Sequence, residues 1–171
     1  MTTHLPDLTE ESAAPGRALN GYDRTITRED VETFLARTGE SLDAYEIDGV
    51  LTVPPGMLMG LYGPLIHGTF HYEAGVHVSS EMTLDRLPHA DQALRIEGRV
   101  LDLFEKNGNK YVTFSVEVSE APAGERLATV HHTSIYALRG KGGKRIRVLE
   151  RRGPPPMLLR LRERRGEISG S

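Results

Sequence analysis

The sequence contains no cysteine. That excludes disulfides, a thiol nucleophile and zinc sites built on thiolates, and it is compatible with a reducing cytoplasm, the expected location. An apolar leader is also missing. The first fifteen residues, MTTHLPDLTEESAAP, are polar, so no signal peptide is expected. No membrane span is expected either, because the longest apolar stretch, Val50 to Ile66, carries three prolines and three glycines and is short for a bilayer. A glycine-rich phosphate loop is absent: GKGGK, Gly140 to Lys144, has neither the spacing nor the strand-to-helix context. No internal repeat is evident.

What remains is a chain of 171 residues, 38% hydrophobic and 26% charged, which reads as one globular domain with a sizeable core. Its net charge of −3 hides an asymmetry. From Arg139 onward eleven Lys/Arg stand against three Asp/Glu, while the preceding residues hold ten basic and twenty-one acidic side chains. Such a tail can meet an external anion or fold over its own acidic body. Without interleaved aromatics it is no nucleic-acid signature, and no nucleic-acid partner is expected.

Residues 1–20 have few large apolar groups and are expected to be disordered. Residues 21–140 carry the periodic patterns of a folded domain, and 141–171 form the basic tail. In TITREDVETFLARTGE, Thr27 suits an N-cap and Asp30 lies three residues on, an acidic capping box. Val31, Phe34 and Leu35 then follow at helical spacing, and Gly39 is placed to end the helix in a left-handed turn.

Pro54 to Tyr72 reads as one long helix, apolar nearly all round and hence buried on most sides. Gly56, Gly60 and Gly63 each lower helix propensity by about 1 kcal/mol relative to Ala, so close approach of a sheet, partner or ligand should offset them. Pro64 removes one intrahelical hydrogen bond and predicts a bend near Gly60. From Gly75 the period becomes two. Val76, Val78, Ser80, Met82 and Leu84 alternate with His77, Ser79, Glu81 and Thr83. Asn107-Gly108 predicts a hairpin turn between two further strands, with a bulge near Val100-Leu101. Val112, Phe114, Val116 and Val118 face one way, and RLATVHHTSIYAL forms a last strand in which only one of His131 and His132 can face a pocket. The fold class is therefore α+β, a helix covered by the apolar face of an antiparallel sheet.

The segments TITREDVETFLARTGE, VPPGMLMGLYGPLI, the strand block from His77 to Glu120 and the closing HHTSIYALRG resemble the MaoC-like family of acyl-thioester hydratases and dehydratases. Dehydratase halves related to fatty acid synthase are especially similar. The resemblance implies the hotdog fold, with a long central helix wrapped by a curved sheet. It implies a dimer, or a heteromer with a second hotdog protein, a substrate carried on coenzyme A or acyl carrier protein, and no cofactor.

The family's catalytic loop reads G-D-x-N-P-x-H. On TGESLDAY, Thr38 to Tyr45, Gly39 matches the glycine, Glu40 falls on the Asp and Tyr45 on the His, while Leu42 and Asp43 replace Asn-Pro. Hydration of an enoyl thioester needs a base, an acid and a donor for the thioester oxygen. Glu40 can act as the base if burial raises its pKa; Tyr45 is a poor base at neutral pH but a serviceable donor. His67 is the next candidate for the missing base. Asp43, Glu46 and Asp48 read either as paired carboxylates or as a charged loop. Gly56, Met57, Gly60, Tyr62 and His71 are the expected substrate contacts, and Arg145, Arg147, Arg151 and Arg152 the expected phosphate contacts. His67 and His71 are four apart, a spacing that can begin a metal site, but no third ligand is clear and no metal is expected. The alternatives are an altered enzyme, such as an isomerase or cyclase of fatty acyl or polyketide-like metabolism, and a non-catalytic subunit of an active dehydratase.

Overall fold

A computed structural model of the chain describes residues 4–72, 75–122 and 124–138. The expected phosphate contacts Arg145, Arg147, Arg151 and Arg152, and the basic tail that holds them, lie outside the described residues.

The architecture is an antiparallel sheet packed on helix. Strand β1 (Tyr22–Thr25) is followed by helix α1 (Arg28–Thr38). A one-turn 3-10 helix (Leu42–Tyr45) leads into a small hairpin, β2 (Glu46–Ile47) and β3 (Val50–Leu51). Then come helices α2 (Pro55–Met59) and α3 (Tyr62–Thr69) and four long strands, β4 (Val76–Leu84), β5 (Ala93–Lys106), β6 (Asn109–Glu120) and β7 (Arg126–Ala137). The main sheet has the order β1-β5-β6-β7-β4.

Local chemistry sets these elements as the sequence suggests. Thr27 and Asp30 form the reciprocal capping box of α1, and Gly39 closes it at φ 75°. Asn107 and Gly108 take φ 55° and 75°, the positive values a tight hairpin needs. The register of β5 against β6 slips between Val100 and Asp102, so Leu101 is the bulged residue. Val112, Phe114, Val116 and Val118 are all buried on one face of β6. They meet Leu58, Leu65, Ile66 and Phe70 of the helical layer in a single core. Each large side chain buried this way contributes about 1.5–3 kcal/mol.

The expected single helix over 54–72 is two shorter ones. Pro64 has no N–H for the Gly60 carbonyl, and Gly63 N–H takes that carbonyl instead at 3.4 Å. The chain therefore tightens at Gly60-Leu61 and restarts as α3, and the Tyr22 hydroxyl steadies the break by donating to the Leu61 carbonyl at 2.7 Å. The close approach expected at the glycines occurs at Gly56, where a Cβ would lie 3.1 Å from the Phe34 ring. At Gly63 a Cβ would meet nothing within 4 Å.

Residues 4–20 are ordered against the domain, contrary to the disorder expected from their composition. β1 covers only the start of the fourteen-residue β5, and the backbone groups beyond need partners. The leading segment supplies them: Leu19 N–H donates to Gly98 O, Val100 N–H to Arg17 O and Gly16 N–H to Val100 O, at 2.8–2.9 Å. Asn20 reaches the end of α3, with its N–H on Thr69 Oγ1 at 2.8 Å and its side-chain amide on Gly68 O at 2.7 Å. Ala13 and Leu19 are buried and anchor the segment, while most of its other residues stay exposed.

Candidate functional site

The loop after α1 brings Glu40 and Tyr45 together across the 3-10 turn. The Tyr45 hydroxyl donates to a Glu40 carboxylate oxygen. That bond raises the Tyr45 pKa above its ordinary value, desolvation adds to it, and the carboxylate's charge works the same way. The phenol is held protonated, as a donor. The backbone here is fixed too, because the Tyr45 carbonyl accepts from both Thr52 N–H and Thr52 Oγ1 at 2.8 Å. Glu40 is exposed, as are Asp43, Glu46 and Asp48. At the start of α2, Pro54 and Pro55 have no N–H to offer a developing oxyanion, and Met57 N–H is taken by Pro54 O at 2.9 Å.

The other expected residues divide between two places. Tyr62 and His67, one turn and a half apart on α3, line a cavity of about 250 Å³ together with Gly63, Ile66, Tyr72, Gly75, His77, His132 and Ser134. Gly56, Met57 and Gly60 are not among its walls: Gly56 is closed over by Phe34, and Met57 packs on the core. His71 lies past the end of α3 and turns to the leading segment, with Nδ1 2.9 Å from Asp7 Oδ1. It does not share a face with His67.

The cavity floor holds a group that the sequence marked only as one half of the His131-His132 doublet. His132 is fully buried and lies between two rings, Tyr62 at 3.6 Å between centroids and His77 at 4.9 Å, both nearly parallel to it. Its Nε2 is 2.6 Å from Ser134 Oγ and its Nδ1 is 3.1 Å from Ser80 Oγ. Ser80 Oγ in turn lies 3.0 Å from His77 Nε2. Burial first, and the neighbouring His77 second, push His132 down to about 4, so the ring is neutral at physiological pH. Burial raises the Tyr72 pKa, partly offset by the neighbouring Ser134 hydroxyl. A Cβ at Gly75 would sit 1.4 Å from the Tyr72 hydroxyl, so glycine there makes room for it.

The register explains how these side chains meet. His132 and Ser134 are two apart on β7 and share its inner face. His77 and Ser80 are three apart on β4, which in a regular strand would put them on opposite faces. The pairing slips between His77 and Ser79, leaving Val78 as an extra residue, and His77 then faces Ser134 while Ser80 faces His132. The expected alternation of β4, with Val76, Val78 and Ser80 on one face, is corrected accordingly: Val76 and Val78 are 47% and 48% exposed. An extra apolar residue ahead of two serines leaves the alternation looking unbroken, so only the His131-His132 doublet signalled this site.

No protein-family model matches the chain. The comparison with curated proteins returns no match. Solved structures do match. The monoamine oxidase regulatory protein of Archaeoglobus fulgidus superposes with a TM-score of 0.65 at 15% identity, over 79% of this chain and 97% of that one. The (R)-hydratase PhaJ1 of Pseudomonas aeruginosa gives 0.61 at 17% identity, over 79% and 89%. A chain of the HadBC 3R-hydroxyacyl-ACP dehydratase complex of Mycobacterium tuberculosis gives 0.60 at 15% identity, over 71% and 96%. The chain therefore has the hotdog fold, α+β, in the form found in MaoC-like dehydratases and (R)-hydratases. Among the described residues no helix is long and apolar enough to cross a membrane.

Proposed function

We propose that the chain is a dehydratase-type hotdog protein that binds an acyl thioester, on coenzyme A or acyl carrier protein, and works paired with a copy of itself or a second hotdog chain. The observation that carries this reading is the cavity beside α3, whose walls join apolar Ile66 to a convergent set of donors and acceptors, Tyr62, His67, Tyr72, His132 and Ser134. Pairing is supported by the apolar side chains left exposed on the edge strand β4, Val76 and Val78, and on the small hairpin, Ile47 and Val50. In this reading Glu40 or His67 accepts a proton, Tyr45 donates one, and Arg145, Arg147, Arg151 and Arg152 bind the carrier's phosphates.

A second reading, a non-catalytic subunit beside an active dehydratase, is favoured by one observation. Glu40 and Tyr45 are engaged with each other on a largely exposed loop, so the expected base is already hydrogen-bonded by the expected donor. Loss of conjugation in a short and a long enoyl-CoA, followed by absorbance, separates the two. Turnover that falls with Glu40→Gln, Tyr45→Phe or His67→Ala supports the first reading with those residues; turnover indifferent to all three removes them from the chemistry. Binding without turnover, seen by calorimetry, supports the subunit. Absence of both overturns acyl-thioester binding altogether.

A further inference from the structure

We propose that Ser134, His132, Ser80 and His77 form a proton relay that carries an exchangeable proton of a bound acyl thioester from the cavity floor to the exposed rim at His77. The inference rests on the acyl-thioester reading above and adds an acid–base site that the loop resemblance does not contain.

Three hydrogen bonds join the four groups in line, at 2.6, 3.1 and 3.0 Å. Each hydroxyl has one proton to donate and each neutral imidazole has one N–H. The chain therefore has two self-consistent senses. In one, Ser134 O–H donates to His132 Nε2, His132 Nδ1–H to Ser80 Oγ, and Ser80 O–H to His77 Nε2. In the other, all three bonds are reversed. Passing one proton along every bond converts the first sense into the second.

The step balances as follows. The C–H bond α to the thioester carbonyl breaks and its electron pair stays on the ligand as an enolate. The proton joins Ser134 Oγ, whose own proton moves to His132 Nε2. His132 releases its Nδ1 proton to Ser80, and Ser80 passes its own to His77 Nε2. His77, now an imidazolium, gives its Nδ1 proton to water.

The surroundings suit carriage better than storage of charge. Buried His132 resists protonation and so serves by taking a proton on one nitrogen as it releases one from the other. The titratable groups that line the cavity around it are His67, Tyr62 and Tyr72 from the helical side and His77 from β4. Tyr72, held protonated by burial, lines the same cavity and is the donor for the enolate oxygen in this proposal. The inner end of the line is buried, Ser134 being 3% exposed, whereas His77 is exposed. The Val78 bulge is what puts both ends on one face.

Two measurements test this. The first follows deuterium entering the α-carbon of butyryl-CoA in D₂O. Ser134→Ala, Ser80→Ala and His77→Gln should each slow it by about 100-fold, with butyryl-CoA affinity nearly unchanged in Ser80→Ala, which is not a cavity wall, and His131→Gln, on the outer face, without effect. Exchange in Ser80→Ala equal to that of the parent protein overturns the relay. The second needs no ligand: the solvent exchange of the buried His132 ring proton, read by NMR. A relay makes it fast in the parent protein and slow in Ser80→Ala, whereas a variant that merely loosens packing speeds it. Equal or faster exchange in Ser80→Ala overturns the relay even where butyryl-CoA fails to bind, an outcome that counts against the acyl-thioester reading alone.

Discussion

Glu40–Tyr45 and Ser134–His132 are both pairings of a proton acceptor with a hydroxyl, and they differ in everything that surrounds them. The first lies five residues apart in sequence on an exposed loop, and its carboxylate is open to water. The second lies under α3, between stacked rings, with every polar atom partnered. A hydrogen bond in water exchanges one partner for another at little net gain, while a buried group left without its partner costs the whole desolvation of that group. Sequence resemblance points to the exposed pair. Physical chemistry concentrates its largest effects at the buried one.

Breaking the comparison at its strong end gives the largest effect. His132→Ala strips Ser134 and Ser80 of their partner and empties the space between Tyr62 and His77, and should destabilise the fold by about 3 kcal/mol in urea denaturation. A midpoint unchanged from the parent would mean that the buried cluster is not held as described.

Acid should expose the same asymmetry. An unfolded imidazole takes up its proton near 6.5, whereas folded His132 does so only at about 4. The unfolded chain binds more protons between those values, so stability is full above about pH 6.5, falls as pH drops toward 4 and levels off below. The total is about 3 kcal/mol, and His132→Gln should flatten this part of the profile, as urea midpoints at pH 7 and 4.5 will show.

Thr27→Ala removes one half of the capping box of α1 and should cost about 1 kcal/mol, the benchmark for a partly exposed polar contact that does matter. Tyr45→Phe and Glu40→Gln should change stability by less than about 0.5 kcal/mol by the same measurement. A loss near that of His132→Ala would erase the contrast between the two sites.

Much of the fold is legible in the sequence where a single residue has a single use. Gly39, Asn107-Gly108, the Thr27/Asp30 box and the alternation from Val112 to Val118 each announce one backbone conformation. The Leu101 bulge is visible too, because it shifts apolar residues onto the wrong face. The Val78 bulge is hidden, since the residues around it, Val76, Val78, Ser79 and Ser80, fit either phase. Pro64 signals a bend, but only the fate of the Gly60 carbonyl decides between a bend and a break. The loop pair could be read from the family pattern, and its exposure could not, because burial depends on elements distant in sequence.

The leading segment has a practical bearing. Composition invites a shortened gene that begins at Tyr22. Such a product would lose the clasp of Asn20 on α3 and leave the Gly98 and Val100 backbone bare along β5. An unclosed sheet margin of that kind recruits strands from other molecules, so the trimmed version would be the one that clumps in the tube.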